Sequence, residues 1–116
     1  MIEIDMAFDR AGLLKSCRVR GHAGAGKAGA DIVCAAVSVL VRTALRSLSG
    51  RRGIEIRGAA PERGLLWMEA AYTAEGRDFL SAAGIFLAEG LKSVAEDYPA
   101  YCRVNFLTES EDTNGT

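Results

Sequence analysis

The chain holds one histidine and three cysteines, and two of these four residues are spaced for joint chemistry. His22 stands where an alternating apolar segment gives way to a glycine-rich one. Cys34 follows within the run Asp31-Ile32-Val33-Cys34-Ala35-Ala36-Val37-Ser38. A thiol attacks a carbonyl only as thiolate. A helix start favours that form through its partial positive charge and unpaired N–H groups, and a neighbouring imidazole can take the proton. With Asp31 as N-cap, Cys34 stands three residues into a helix. At ~100° per residue, Asp31, Cys34 and Ser38 fall within about 60° of one another. Asp31 either caps the helix through the N–H of Val33 or Cys34, or orients His22. Ser38 either bonds near the site or satisfies a carbonyl one turn back. The residues alone leave Cys34 a second reading, as a small buried apolar residue among Ile32, Val33, Ala35, Ala36 and Val37. Cys17 and Cys102 lie in alternating segments without a helix terminus or a histidine nearby, and read as structural.

Other chemistries fit the same segment less well. Gly24-Ala25-Gly26-Lys27-Ala28-Gly29 matches GxGxxG, but a dinucleotide site needs a βαβ unit and an acid about 20 residues on. No Asp or Glu lies between Asp31 and Glu55. The segment also approaches a P-loop, yet Ala28 occupies the place of the magnesium-binding hydroxyl. One His, one Cys and one Asp are too few for a closed zinc site. No cofactor or metal is expected.

The elements that must position the pair follow from periodicity. Residues 1–8 alternate apolar and acidic side chains, as a half-buried strand does. Asp9-Arg10-Ala11-Gly12 has turn chemistry, and residues 13–20 complete a hairpin. Residues 21–30 carry four glycines and no bulky apolar side chain, so a loop over the site is expected. A helix over 32–48, apolar nearly all round, is expected to be largely buried. Strands over 53–58 and 65–73, a helix over 78–97 and a strand over 101–107 follow. Gly84 and Gly90 inside the second helix imply close packing. The order β-β-α-β-β-α-β predicts a two-layer α+β sandwich, a mainly antiparallel sheet covered by two helices. Residues 1–107 form one domain and 108–116 a polar, frayed tail.

The net charge of −1 gives no general pull toward nucleic acid or membrane. Arginines concentrate between Arg42 and Arg63, and acids dominate from Glu69 onward. That division reads as two solvated faces, or as an acidic surface that attracts a basic partner. An odd number of widely spaced cysteines, no CxxC pair and no signal-like start together point to a cytoplasmic protein with free thiols. No apolar run reaches the ~18 residues of a membrane span.

The pair Gly21-His22, the short loop with Ala23, Gly24, Gly26 and Gly29, and the run from Asp31 to Ser38 together resemble the signature of the Prp ribosomal-processing cysteine proteases. The resemblance spans residues 1–107. It implies His22 and Cys34 as catalytic dyad, with Asp31 and Ser38 in support and the loop glycines at the substrate. It also implies a substrate: a large-subunit ribosomal protein, the twenty-seventh, from which a short N-terminal extension is removed after an aromatic residue. A homodimer follows from the same likeness. Ala25 stands where many relatives carry an aromatic. A different class of function, a noncatalytic ribosome-associated binding module or assembly factor, is the alternative.

Overall fold

A computed structural model gives the arrangement of the 116-residue chain, and describes residues 1–21, 28–62 and 65–109. Strands β1 (Ile2–Phe8) and β2 (Leu14–Arg20) precede helix α1 (Ala28–Leu48). Strands β3 (Ile54–Glu62) and β4 (Leu65–Tyr72) follow, then a single 3-10 turn (Ala74–Gly76), helix α2 (Arg77–Asp97) and strand β5 (Cys102–Thr108). The five strands make one sheet in the order β3-β4-β2-β1-β5. All pairs are antiparallel except β1 with β5, which is parallel because the α2 crossover separates β4 from β5. The predicted α+β architecture and element order are those observed.

Residues paired across strands share a sheet face, so the register sorts the side chains. The row Gly58, Met68, Cys17, Met6, Phe106 crosses the sheet on one face. Met6, Cys17 and Met68 are fully buried there, with Ile2, Ile4, Val33, Val37, Leu80, Leu87 and Leu91. Both helices cover this face. The row Ala59, Trp67, Arg18, Asp5, Asn105 crosses the other, where Arg20 and Asn105 hydrogen-bond to Asp5.

The close packing implied by the α2 glycines is present. A Cβ on Gly90 would stand 3.0 Å from Leu40 Cδ2 of α1, and one on Gly84 would stand 3.2 Å from Leu14 Cβ.

Three expectations need correction. First, α1 is buried along one face only: Val33, Val37, Val41 and Leu48 are inside, whereas Ile32 is 52% and Val39 62% exposed. A helix lying on a single sheet has nothing over its outer side, so apolar residues there stay uncovered. Second, β3 continues past Gly58 to Glu62, through Pro61. An edge strand tolerates proline, and the register shift between Ala59 and Glu62 absorbs it. Third, β5 runs to Thr108, one residue past the expected end at 107, and the N–H of Glu109 donates to the carbonyl of Phe8.

Candidate active site

The α1 helix begins at Ala28, one turn earlier than the sequence reading placed it. Ala28 and Ala30 are strong helix formers, and Asp31 in the first turn complements the helix dipole. Asp31 is therefore inside the helix and is not its N-cap. Gly29 is helical rather than part of the loop. Cys34 becomes the seventh helical residue, where its own N–H belongs to the intrahelical ladder. The unpaired donors lie one turn nearer the helix start, and the dipole acts on Cys34 less directly than a first-turn position would allow.

Cys34 is half-buried and packs against the core cluster. Ser38, one turn on, is also half-buried, and Asp31 is exposed. The other two thiols differ in kind. Cys17 is fully buried and Cys102 nearly so. Burial, aided by the charge of Asp5, pushes the Cys17 thiol up to about 12, and burial also raises Cys102. Both thiols are shielded from solvent, which leaves Cys34 as the accessible sulfur of the three.

Two contacts fix how α1 lies. Leu40 meets α2 at Gly90, and Leu45 meets β3 at Gly58. Cys34 precedes Leu45 by three helical turns and about 20° of rotation. It therefore occupies the β3-facing flank of α1, away from α2.

His22, Ala23, Gly24 and Gly26 lie outside the described residues, as does the greater part of the expected loop. Gly21, which delivers the chain to His22, is described. Its φ is +103°, and a Cβ there would collide with the Met1 carbonyl oxygen. The turn out of β2 thus requires glycine. No group of three or more His, Cys, Asp and Glu suited to a metal occurs among the described residues. The strand preceding α1 is antiparallel to both its neighbours, so the GxGxxG match lacks its βαβ frame.

The half-buried thiol of Cys34 near the start of α1 is the candidate nucleophile among the three cysteines, and the antiparallel frame around β2 does not suit a nucleotide-binding domain. The model of the family described as cysteine protease Prp matches residues 1–103, and the chain belongs to that family. It is a cysteine protease.

Solved structures repeat the architecture. SMU.848 from Streptococcus mutans superposes with a TM-score of 0.77 at 26% identity, covering 94% of this chain and 96% of that one. The essential ribosomal processing protease Prp from Staphylococcus aureus, in complex with a substrate peptide, gives 0.77 at 20% identity, over 91% of this chain and 99% of that one. The same protease with a covalently linked product peptide gives 0.76 at 21%. No curated protein sequence matches the chain.

Sequence reasoning missed the early start of α1 and the β3-facing flank. The alternation of alanine at 28 and 30 was the available signal for the first. The second depends on where Leu45 meets Gly58, which no local pattern encodes.

Proposed function

We propose that this protease removes the N-terminal extension of a large-subunit ribosomal protein, the twenty-seventh, with Cys34 as nucleophile and His22 as general base and acid. The observation that carries the reading is the family match across residues 1–103, which includes both positions. Cys34 is also the one accessible thiol among the three. The protease from Staphylococcus aureus that shares this fold acts in ribosomal processing, which supports the same substrate class here.

The chemistry is acyl transfer. His22 takes the Cys34 proton, and the sulfur adds to the scissile carbonyl carbon. The tetrahedral intermediate collapses to a thioester, and the leaving amine receives the proton from His22. Water, activated by the same imidazole, then hydrolyses the thioester and restores the thiol. The oxyanion needs N–H donors other than that of Cys34; the first turn of α1 and the preceding segment are the sources. Asp31 and Ser38 support the site from the same helical flank, and Gly21, Ala23, Gly24, Gly26 and Gly29 shape the substrate side.

No helix among the described residues is long and apolar enough to cross a membrane. We place the protease in the cytoplasm, where its substrate is made, as a homodimer without cofactor or direct nucleic-acid contact.

The test is incubation of the purified protein with the extended ribosomal protein, read by mass spectrometry. Loss of the extension is expected. It should stop in Cys34→Ala and slow by about 10²–10⁴-fold in His22→Ala. An intact substrate, or cleavage that survives Cys34→Ala, overturns the proposal.

A further inference from the structure

Strand β3 is an edge of the sheet, and its outer side pairs with no strand among the described residues. It is nine residues long, and Arg57, Gly58, Ala59 and Ala60 are all exposed. No lysine guards this edge, and three of its residues are too small to obstruct a neighbour. The hydrogen-bond phase of the strand is fixed by one bond: the N–H of Thr73 donates to the carbonyl of Gly53 at 2.9 Å. Gly53 therefore faces β4, and by alternation so do Glu55 and Arg57. Ile54, Ile56 and Gly58 turn their backbone groups outward. The N–H of Ile54 is already taken by the carbonyl of Arg51. The N–H and C=O of Ile56 and Gly58 are left pointing into the open.

This edge leads to Cys34. Leu45 lies over Gly58, and Cys34 is 11 residues earlier on the same flank, about 16 Å toward the start of α1. Strand β3 leaves the end of α1 and runs back along it, so Glu62 lies about 13 Å beyond Gly58 in the same direction. By their positions along the two elements, the far end of β3 and Cys34 thus lie toward the same end of the molecule.

We propose that the peptide substrate adds to the sheet as an extended strand along the outer edge of β3, hydrogen-bonded through the backbone of Ile56 and Gly58, with its scissile bond carried to Cys34. The occupant is extended polypeptide because the family cleaves peptide bonds, and an edge with exposed alternate amides binds backbone regardless of side chain. Side-chain preference would then be decided near Cys34, while β3 supplies orientation. Gly58 has a double duty. Its missing Cβ lets Leu45 approach the sheet, and its backbone holds the substrate.

The inference rests on Cys34 as the nucleophile, and the test separates the two. The intact protein is labelled at Cys34 either with a ten-residue peptidyl chloromethyl ketone, long enough at ~3.3 Å per residue to reach from Cys34 past Ile56, or with iodoacetamide, which caps the sulfur without a chain. Residue-resolved amide exchange is then compared. With the peptide attached, exchange at Ile56 and Gly58 should slow at least tenfold relative to the cap, while Glu55 and Arg57 stay equally protected in both. Unchanged Ile56 and Gly58 beside a peptide attached to Cys34 overturn strand addition and leave the nucleophile standing. Failure of Cys34 to accept the ketone overturns both. Protection at Ile56 and Gly58 that appears in the capped protein and grows with its concentration assigns the edge to a second copy and overturns the proposal as well.

Discussion

Gly21 lies against the main-chain carbonyl of Met1, in a backbone conformation that side chains resist, directly before His22. The start of β1 therefore sets the direction in which the chain leaves β2.

Gly21→Ala should strain this turn by about 1–2 kcal/mol and add the collision with Met1. The alanine variant should still fold, since the core is elsewhere, but melt lower. Because His22 is the next residue, kcat/KM should fall by more than the stability loss explains. Equal kcat/KM in a folded variant would show that the bend does not place His22.

The three thiols should react in two classes. Iodoacetamide at neutral pH should modify Cys34 alone in the native protein, because Cys17 and Cys102 are buried. After unfolding in guanidinium all three should react, giving a mass shift of three adducts. Cys17→Ala should cleave normally and lose about 1–2 kcal/mol of stability, from the small cavity it leaves among Met6 and Met68. Rapid native labelling of Cys17 would show that the sheet core opens far more often than its packing implies.

How far the sequence discloses this arrangement depends on range. Strand alternation at Ile2, Ile4 and Met6 and the glycine-marked ends of helices are local, and they disclosed the order of elements and the two-layer class. The proposed nucleophile stands out in the sequence because helix start, cysteine and upstream histidine fall close together in the chain, and the likeness to the Prp signature is what favours it over a buried structural cysteine. The outcome for α1 shows the boundary. Its apolar outer residues, Ile32 and Val39, look the same in sequence as its buried Val33 and Val37, and only the single-sheet packing separates them. The path of β3 through Pro61 was hidden for a similar reason. Proline is read as a break unless the strand is known to be at an edge.

Asp9 and Tyr72 hold the far end of the sheet. Tyr72 Oη donates to Asp9 Oδ2 at 2.6 Å, and the N–H groups of Ala11 and Leu13 donate to Oδ1. Burial alone would raise the Asp9 carboxyl, but these hydrogen bonds outweigh it and hold the group below its ordinary value. The bond to Asp9 raises Tyr72. A depressed carboxyl contributes stability above its unfolded pKa, lost as pH falls through the folded one. A raised phenol contributes below its unfolded pKa, lost as pH climbs through the folded one. Tyr72→Phe should therefore lower the melting temperature most between about pH 4 and 10, with the gap to wild type closing at either extreme. A gap of constant size down to pH 2 would mean that packing, not this bond, accounts for the loss.

The outer side of the two helices is the face on which a second copy would sit. Ile85 is 62% and Phe86 76% exposed, beside Val39 at 62%. Between α1 and α2 runs a groove of about 310 Å³ lined by Leu40, Phe79, Ala83 and Phe86, among others. Arg51 stacks over the Phe79 ring, 3.7 Å from its centroid, so this groove wall is held in place before any partner arrives. Apolar side chains this exposed, clustered on one face, mark an interaction surface more often than a solvated one. Burial of an aromatic side chain is worth roughly 1.5–3 kcal/mol, and a symmetric interface would collect it twice. Phe86→Glu should thus convert a dimer to a monomer, with little effect on the stability of the fold because the side chain is outside the core. Light scattering at micromolar concentration should give twice the chain mass for wild type and the single-chain mass for the variant. A wild-type monomer would remove the homodimer from this account; a dimeric Phe86→Glu would move its interface off the helical face.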